Sequence, residues 1–112
     1  MIVDDNSFFL DAARELLERE GVEVVGVASN SADALPLVAD LRPDVTLVDV
    51  DLGTEDGFEL SRQLAGRSNV ILVSAHPEAE LAELVSASPA RGFIHKTQLS
   101  AGAINALLES AA

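Results

Sequence analysis

The strongest constraint on this chain is the regular alternation of short apolar runs with helix-length amphipathic segments along its 112 residues. Val45–Asp49 and Asn69–Ser74 are almost continuously apolar, as is typical of strands that are covered on both faces. Such an alternation predicts βαβ units, right-handed crossovers and a parallel sheet between layers of helices. The five predicted strands cover residues 1–4, 23–27, 45–49, 69–74 and 91–94.

Helical patterns follow each run. The first begins with Ser7 as the predicted N-cap and stops at Gly21, where glycine can adopt the left-handed C′ conformation. The second starts at Ser31, ends before Pro43 and places Pro36 near its first turns, where a missing N–H is tolerated. The fourth places Pro77 at its first helical position. The remaining patterns predict helices at residues 56–65, 77–87 and 100–110.

Five strands alternating with five helices predict one α/β domain over residues 1–112. Two arrangements fit: a flavodoxin-like, doubly wound five-stranded parallel sheet in the order 2-1-3-4-5, or a small Rossmann-like half. In both, ligands bind outside the carboxyl ends of the strands, at the point where the strand order reverses. The first strand is followed by Asp-Asn-Ser rather than by a Gly-x-Gly turn, which excludes a dinucleotide-binding loop.

The charge balance limits the possible partners. Nineteen acidic residues against seven basic ones give a formal net charge of −12. This charge repels phosphate backbones, so we expect no direct nucleic acid binding by the domain, whereas divalent cations and basic partners are favoured. The chain has no cysteine, no apolar run of membrane-spanning length and no signal-peptide pattern, so we expect a cytoplasmic location.

Chemically reactive side chains fall at the carboxyl ends of the predicted strands. Asp4 and Asp5 end the first strand, Asp49 ends the third, Ser74 ends the fourth, and Lys96 follows the fifth. In the flavodoxin-like order, the first and third strands are neighbours, so three carboxylates converge. Their mutual repulsion is relieved most simply by a divalent cation with oxygen ligands, typically Mg²⁺.

Lys96 is the only lysine of the chain, and its flexible ammonium can reach a carboxylate or a phosphoryl oxygen from this position. Ser74 supplies a hydroxyl that can donate a hydrogen bond to a phosphoryl oxygen. With Asp49 as the nucleophile and a cation beside it, the set contains the groups needed for phosphoryl transfer to an aspartate.

These residues lie in motifs that resemble those of the response regulator receiver domains of two-component systems, over essentially the whole chain. Five motifs occur in the family's order and at its spacing. They are Ile-Val-Asp-Asp-Asn at 2–6, Leu-Val-Asp-Val-Asp-Leu at 47–52, Asp-Gly-Phe-Glu-Leu at 56–60, Ile-Leu-Val-Ser-Ala at 71–75 and Gly-Phe-Ile-His-Lys at 92–96.

The resemblance implies a role for each matching residue. Asp49 would be the phosphorylated residue, accepting the phosphoryl group from the phosphohistidine of a sensor histidine kinase. The metal site would consist of Asp4, Asp5, Asp49 and the backbone carbonyl of Asp51.

In the same way, Ser74 and Lys96 would bind phosphoryl oxygens, and Phe93 would turn inward as Ser74 moves. The domain would catalyse only its own phosphorylation and slow dephosphorylation. The pattern Lys-Thr-x-Leu at 96–99 resembles receivers of LuxR-type regulators. It implies a C-terminal helix-turn-helix output domain, which is missing from this chain, and a possible homodimer formed through the last two helices and the last strand.

Two other interpretations remain. Asp49-Val50-Asp51 is also the Asp-x-Asp pattern of haloacid-dehalogenase-type phosphatases, although the only acidic residue after Lys96 is Glu109, within a predicted helix. A receiver can also act as a protein–protein interaction module without phosphorylation. His76, two residues after Ser74, is a candidate for tuning dephosphorylation.

Overall fold

The computed structural model describes residues 1–109. The elements in chain order are β1 (Ile2–Val3), α1 (Ser7–Arg19), β2 (Val27–Ala28), α2 (Ser31–Leu41), β3 (Val45–Asp49), β4 (Asp51–Leu52), β5 (Glu55–Asp56), α3 (Gly57–Leu64), β6 (Asn69–Ser74), α4 (Glu78–Ala87), β7 (Gly92–His95), a 3₁₀ turn (Lys96–Gln98) and α5 (Ala101–Glu109).

Five parallel strands form the central sheet in the order β2-β1-β3-β6-β7. This is the predicted flavodoxin-like order 2-1-3-4-5, because β4 and β5 form a separate antiparallel hairpin. The prediction of the fold is therefore confirmed. None of the helices within residues 1–109 is both long enough and apolar enough to cross a membrane.

Alternate residues of each central strand face opposite sides of the sheet, so the core has two halves. In β3, Val48 packs with α2 and α3, whereas Leu47 packs with α1 and α5. In β6, Leu72 and Ile71 divide in the same way and are fully buried. Helices therefore cover both faces, which explains why these two strands are apolar at nearly every position.

Several local predictions need correction. The N-cap of α1 is Asn6 rather than Ser7, because the Asn6 side chain accepts hydrogen bonds from the N–H groups of Phe8 and Phe9. Pro36 lies inside α2, as its sixth residue, and Pro77 is the N-cap of α4 rather than its first residue.

Strand boundaries also differ from the prediction. The second strand is Val27–Ala28, shorter and later than residues 23–27, because it pairs only with the two residues of β1. The hairpin of β4 and β5 was not predicted. The predicted end of the last helix, Ser110, lies outside the described residues, as does the end of the predicted domain at residue 112.

Candidate functional site

The carboxyl ends of four neighbouring strands bring the predicted site residues to one edge of the sheet. Asp4 follows β1, Asp49 ends β3, Ser74 ends β6 and Lys96 follows β7. A cavity of about 270 Å³ opens at this edge. Its lining consists of Asp5, Asn6, Asp49, Asp51, Gly53, Ser74, Ala75, His76 and Lys96. A larger groove of about 390 Å³ lies at the amino ends of β1 and β3, and none of the predicted site residues lines it.

Three carboxylates converge at the cavity. Asp4, Asp5 and Asp49 each place an oxygen within 4.8 Å of the others, which is close enough for one cation to bind all three. Asp4 is fully buried and Asp49 is 5% exposed, whereas Asp5 is exposed. The cluster therefore has two fixed carboxylates below one that faces solvent, and it could hold a metal ion.

Lys96 connects the two buried carboxylates. Its Nζ lies 2.7 Å from Asp4 Oδ2 and 3.1 Å from Asp49 Oδ2, and its side chain is 17% exposed. The same Nζ lies 4.3 Å from the centre of the Phe9 ring, a cation–π distance. Two charges and one aromatic face therefore hold the ammonium at the edge of the cavity.

Burial dominates the electrostatics of Asp49. The pKa of this carboxyl is raised to about 6 overall. Burial and the charge of Asp4 raise it, whereas a hydrogen bond from the Asp51 N–H and the contact with Lys96 lower it. Burial also lowers the pKa of Lys96, but contacts with Asp4 and Asp49 outweigh burial, so the net pKa is above its usual value. At pH 7 and above, both groups are therefore charged.

The loop after β3 holds Asp49 in place. Asp49 Oδ1 accepts a hydrogen bond from the Asp51 N–H at 3.1 Å. The hairpin of β4 and β5 then returns the chain to Val50, whose carbonyl accepts from the Gly57 N–H. A side chain at Gly57 would overlap the Asp49 carbonyl, so only glycine allows α3 to start this close to the site. The unpredicted hairpin therefore positions the central carboxylate.

Ser74 is buried at the end of β6, and its hydroxyl has a defined role as an acceptor. Oγ accepts a hydrogen bond from the His76 N–H at 2.9 Å. The hydroxyl proton is left to donate to an acceptor in the cavity. His76 itself is exposed and lines the cavity, as expected for a residue two positions after Ser74.

Phe93 differs from the other predicted residues. It is 9% exposed and belongs to the apolar cluster on the α2–α4 side of the sheet, and it does not line the cavity. Asp51 lines the cavity with an exposed side chain. Phe9, which contacts Lys96, was not predicted as a site residue. Its position four residues after Asp5, within the first turn of α1, was the available signal.

The donor set fits a hard divalent cation. All the ligand atoms are carboxylate oxygens, the type that Mg²⁺ and Ca²⁺ prefer. Asp4 Oδ2 is buried, and the Lys96 ammonium compensates its charge at 2.7 Å. A cation beside this oxygen would supply a second positive contact to the buried carboxylate.

A flavodoxin-like sheet with an acidic cluster, a hydroxyl and a lysine at its carboxyl edge defines a class of signalling domain. The family model for the response regulator receiver domain matches residues 1–108. The chain therefore belongs to the receiver domain family of two-component response regulators, as the sequence motifs predicted.

Solved structures support this assignment. The signal receiver domain of the response regulator NarL from Mycobacterium tuberculosis is 30% identical, with a TM-score of 0.82, and the match covers 98% of this chain and 92% of that one. A LuxR-family response regulator from Aurantimonas is 27% identical with a TM-score of 0.85, covering 98% of this chain and 84% of that one.

Curated relatives are longer proteins. A protein-glutamate methylesterase/protein-glutamine glutaminase from Myxococcus xanthus is 41% identical over 87 residues, covering 73% of this chain and 25% of the relative. The transcription regulator BvgA of Bordetella pertussis is 29% identical over 109 residues, covering 95% of this chain and 52% of the relative. The chain thus spans about a quarter of the length of the methylesterases and about half of the length of the transcription regulators that it matches.

Proposed function

We propose that this domain accepts a phosphoryl group on Asp49 from the phosphohistidine of a sensor histidine kinase, in a Mg²⁺-dependent reaction. The observation that carries this proposal is the position of Asp49: nearly buried, facing the only lysine, and within 4.8 Å of two further carboxylates. A surface aspartate needs neither a neighbouring lysine nor further carboxylates, whereas an aspartate that attacks a phosphoryl group needs positive charge and a metal site beside it.

The transfer forms one bond and breaks one bond. An Asp49 carboxylate oxygen attacks phosphorus and forms a P–O bond, while the P–N bond of the donor breaks and its electron pair stays on the imidazole nitrogen. A carboxyl whose pKa lies at about 6 is ionised at neutral pH and is more basic than an ordinary aspartate. Burial therefore gives Asp49 both the charge and the basicity that a nucleophile needs.

Two side chains are placed to receive the transferred group. Lys96 already lies 3.1 Å from Asp49 Oδ2, so its ammonium can pair with a phosphoryl oxygen after a small movement. Ser74 has a hydroxyl proton available, because its oxygen is the acceptor for the His76 N–H. We assign both residues to binding the phosphoryl oxygens.

Asp4, Asp5 and Asp49 would hold Mg²⁺, with the backbone carbonyl of Asp51 completing the protein's contribution. When bound, the ion supplies positive charge that offsets the repulsion between the carboxylates and an incoming phosphoryl group. Exposed Asp5 is the natural entry point for the hydrated ion, since Asp4 is fully buried.

Phosphorylation would add close to two negative charges and three acceptor oxygens at Asp49. Ser74 and Lys96 would be drawn toward the new group, and Phe93 and the face formed by α4 and β7 would repack with them. This change would alter the binding of a partner. Resemblance to LuxR-type regulators supports a helix-turn-helix output domain as that partner, a homodimer as an assembly and the cytoplasm as the location.

Incubation with acetyl phosphate and Mg²⁺, followed by intact mass measurement, tests the proposal. We expect one adduct of about 80 Da, the mass of a phosphoryl group, and its loss in Asp49→Asn. Asp51→Asn is the matched control, because it removes an exposed carboxylate two residues away in the same cavity, and it should still be labelled. An unlabelled wild-type protein would favour a receiver that acts without phosphorylation.

We further propose that the domain is not an enzyme that acts on other substrates. Residues 97–109 contain one acidic residue, Glu109, which is exposed in α5, so they offer no second acidic motif of the phosphatase type. With p-nitrophenyl phosphate, we expect no repeated release of nitrophenol. Sustained release abolished in Asp49→Asn would favour the haloacid-dehalogenase alternative.

A further inference from the structure

His95 joins two backbone segments that the proposed site depends on. It is the last residue of β7, pairs in register with Ser74 and immediately precedes Lys96. Its Nε2 lies 2.9 Å from the carbonyl oxygen of Ala75, in the loop after Ser74. Its Nδ1 accepts a hydrogen bond from the Thr97 N–H at 3.2 Å, at the start of the turn that carries Lys96.

These partners select the tautomer of the ring. A carbonyl oxygen can only accept, so the Nε2 facing Ala75 carries a proton. A backbone N–H can only donate, so the Nδ1 facing Thr97 has none. The Thr97 hydroxyl, 2.7 Å from Nδ1, can only share the one lone pair of that nitrogen with the Thr97 N–H. The tautomer with its proton on Nε2 therefore fits the contacts with the Ala75 carbonyl and the Thr97 N–H.

We propose that His95 is a positioning residue for Ser74 and Lys96, because its ring links the loop after Ser74 to the turn that carries Lys96. This inference rests on the proposed function. The loop at 75–77 is exposed, and α4, which follows it, has no buried residue, so packing restrains this segment weakly. The bond from His95 to the Ala75 carbonyl ties it to the sheet. Ser74 and Lys96 thus keep a constant separation before the phosphoryl group arrives.

Two substitutions distinguish the contact of His95 with Ala75 from its contact with Thr97. His95→Gln places an amide N–H near the position of Nε2 and retains the bond to Ala75. His95→Asn places an oxygen near the position of Nδ1 and retains only the contact with Thr97. We expect His95→Asn to slow labelling by acetyl phosphate about fivefold, the effect of one net hydrogen bond, and His95→Gln to stay within twofold of wild type.

Backbone amide hydrogen exchange at residues 75 and 76 provides a second readout that needs no phosphoryl transfer. Exchange should become faster in His95→Asn and remain at the wild-type rate in His95→Gln. The ring ¹⁵N spectrum of the wild type should show a proton on Nε2 of His95, with exposed His76 as the internal reference.

Equal labelling and equal exchange in the two variants, or faster labelling in His95→Asn, would contradict the positioning role of His95. If wild-type protein is not labelled at all, the proposed function fails. In that case, the exchange rates and the ring spectrum still test whether His95 links the two segments. A drop in melting temperature shared by both variants, without a difference between them, would assign His95 a purely structural role.

Discussion

Lys96 lies closer to Asp4 than to Asp49, at 2.7 Å against 3.1 Å, although Asp49 is the proposed phosphoacceptor. Asp4 is fully buried, so the ammonium beside its Oδ2 compensates a carboxylate charge that water cannot reach. A cation bound at Asp4 would take over that role. Metal binding would then release Lys96 toward Asp49, which links the metal site to the phosphoryl-binding site.

This relationship predicts a cation-dependent effect of Lys96→Ala. Without divalent cations, the substitution leaves two buried carboxylates unpaired. We expect the free energy of unfolding at pH 7.5 to fall by about 2–4 kcal/mol, slightly below the usual cost of breaking a buried pair because Lys96 is partly exposed. In saturating Mg²⁺ the deficit should shrink. Urea denaturation in EDTA and in Mg²⁺ measures both values.

Arg14→Ala is the control for Lys96→Ala, because it removes an exposed ion pair with Glu18 that spans 3.7 Å. We expect a change of about 0–0.5 kcal/mol in both buffers. A Lys96→Ala deficit that is identical with and without Mg²⁺ would contradict the link between Lys96 and the metal site.

The raised pKa of Asp49 predicts a pH-dependent gain in stability for Asp49→Asn. A carboxyl whose pKa rises from 3.8 to about 6 on folding binds more protons in the folded state between these values. Wild-type stability therefore falls as pH increases from about 4 to about 6, and the asparagine variant escapes this loss. In EDTA at pH 8, we expect Asp49→Asn to be more stable by about 1–3 kcal/mol.

The gain should decline toward zero near pH 4. Thermal denaturation of both proteins across this pH range provides the comparison, with Asp51→Asn as the exposed neighbour. A pH-independent gain, or a gain that grows as the pH falls, would show that burial of the Asp49 charge is not its cause.

Asp5 predicts how the domain responds to Mg²⁺. It is the exposed member of the carboxylate cluster, so Asp5→Asn should remove a ligand with little effect on packing. We expect Mg²⁺ to raise the melting temperature of the wild type at pH 7.5 and to have at least tenfold weaker apparent affinity for the variant.

Asp11→Asn, an exposed carboxylate on α1 outside the cluster, is the matched control in the Mg²⁺ titration and should behave as the wild type. Equal Mg²⁺ affinity in Asp5→Asn and Asp11→Asn would place the cation elsewhere.

Two adjacent phenylalanines on α1 make it possible to distinguish the contribution of the cation–π contact to stability from that of hydrophobic burial. Phe9 lies under Lys96 at 4.3 Å, whereas Phe8 is 85% exposed. Phe9→Leu keeps an apolar side chain but loses the aromatic face, so we expect a loss of about 0.5–2 kcal/mol in urea denaturation. Phe8→Leu should change stability by less than about 0.5 kcal/mol.

A double-mutant cycle with Lys96→Met completes the test of the Phe9 contact. The cost of Phe9→Leu should largely disappear once the ammonium is gone. An undiminished cost in the Lys96→Met background would show that Phe9 contributes by packing alone.

The periodic segments predicted a parallel sheet with the site at its carboxyl edge, and the receiver-like motifs then favoured the order 2-1-3-4-5 over a Rossmann-like half. Val45–Asp49 and Asn69–Ser74 are apolar on both faces, which left few arrangements other than central parallel strands. In such a sheet, the ends of neighbouring strands meet, so Asp4, Asp49 and Lys96 could be placed together without any structure.

Very short strands and contacts between distant residues could not be predicted from sequence periodicity. The hairpin of β4 and β5 has two residues in each strand, too few for a periodic signal. The Phe9 contact with Lys96 and the His95 contact with Ala75 join residues far apart in the chain, and they depend on side-chain directions that only the packed structure fixes. Asn6 was missed as N-cap because Ser7 beside it is an equally common capping residue.

Peptide mapping of the labelled protein tests the central claim most directly. After labelling with acetyl phosphate and Mg²⁺, borohydride reduction converts an aspartyl phosphate into a stable residue that tandem mass spectrometry can locate. We predict a single modified position, Asp49, in the peptide that also contains Asp44, Asp51 and Asp56. Modification at Asp51, or spread over several of these carboxylates, would contradict Asp49 as the phosphoacceptor.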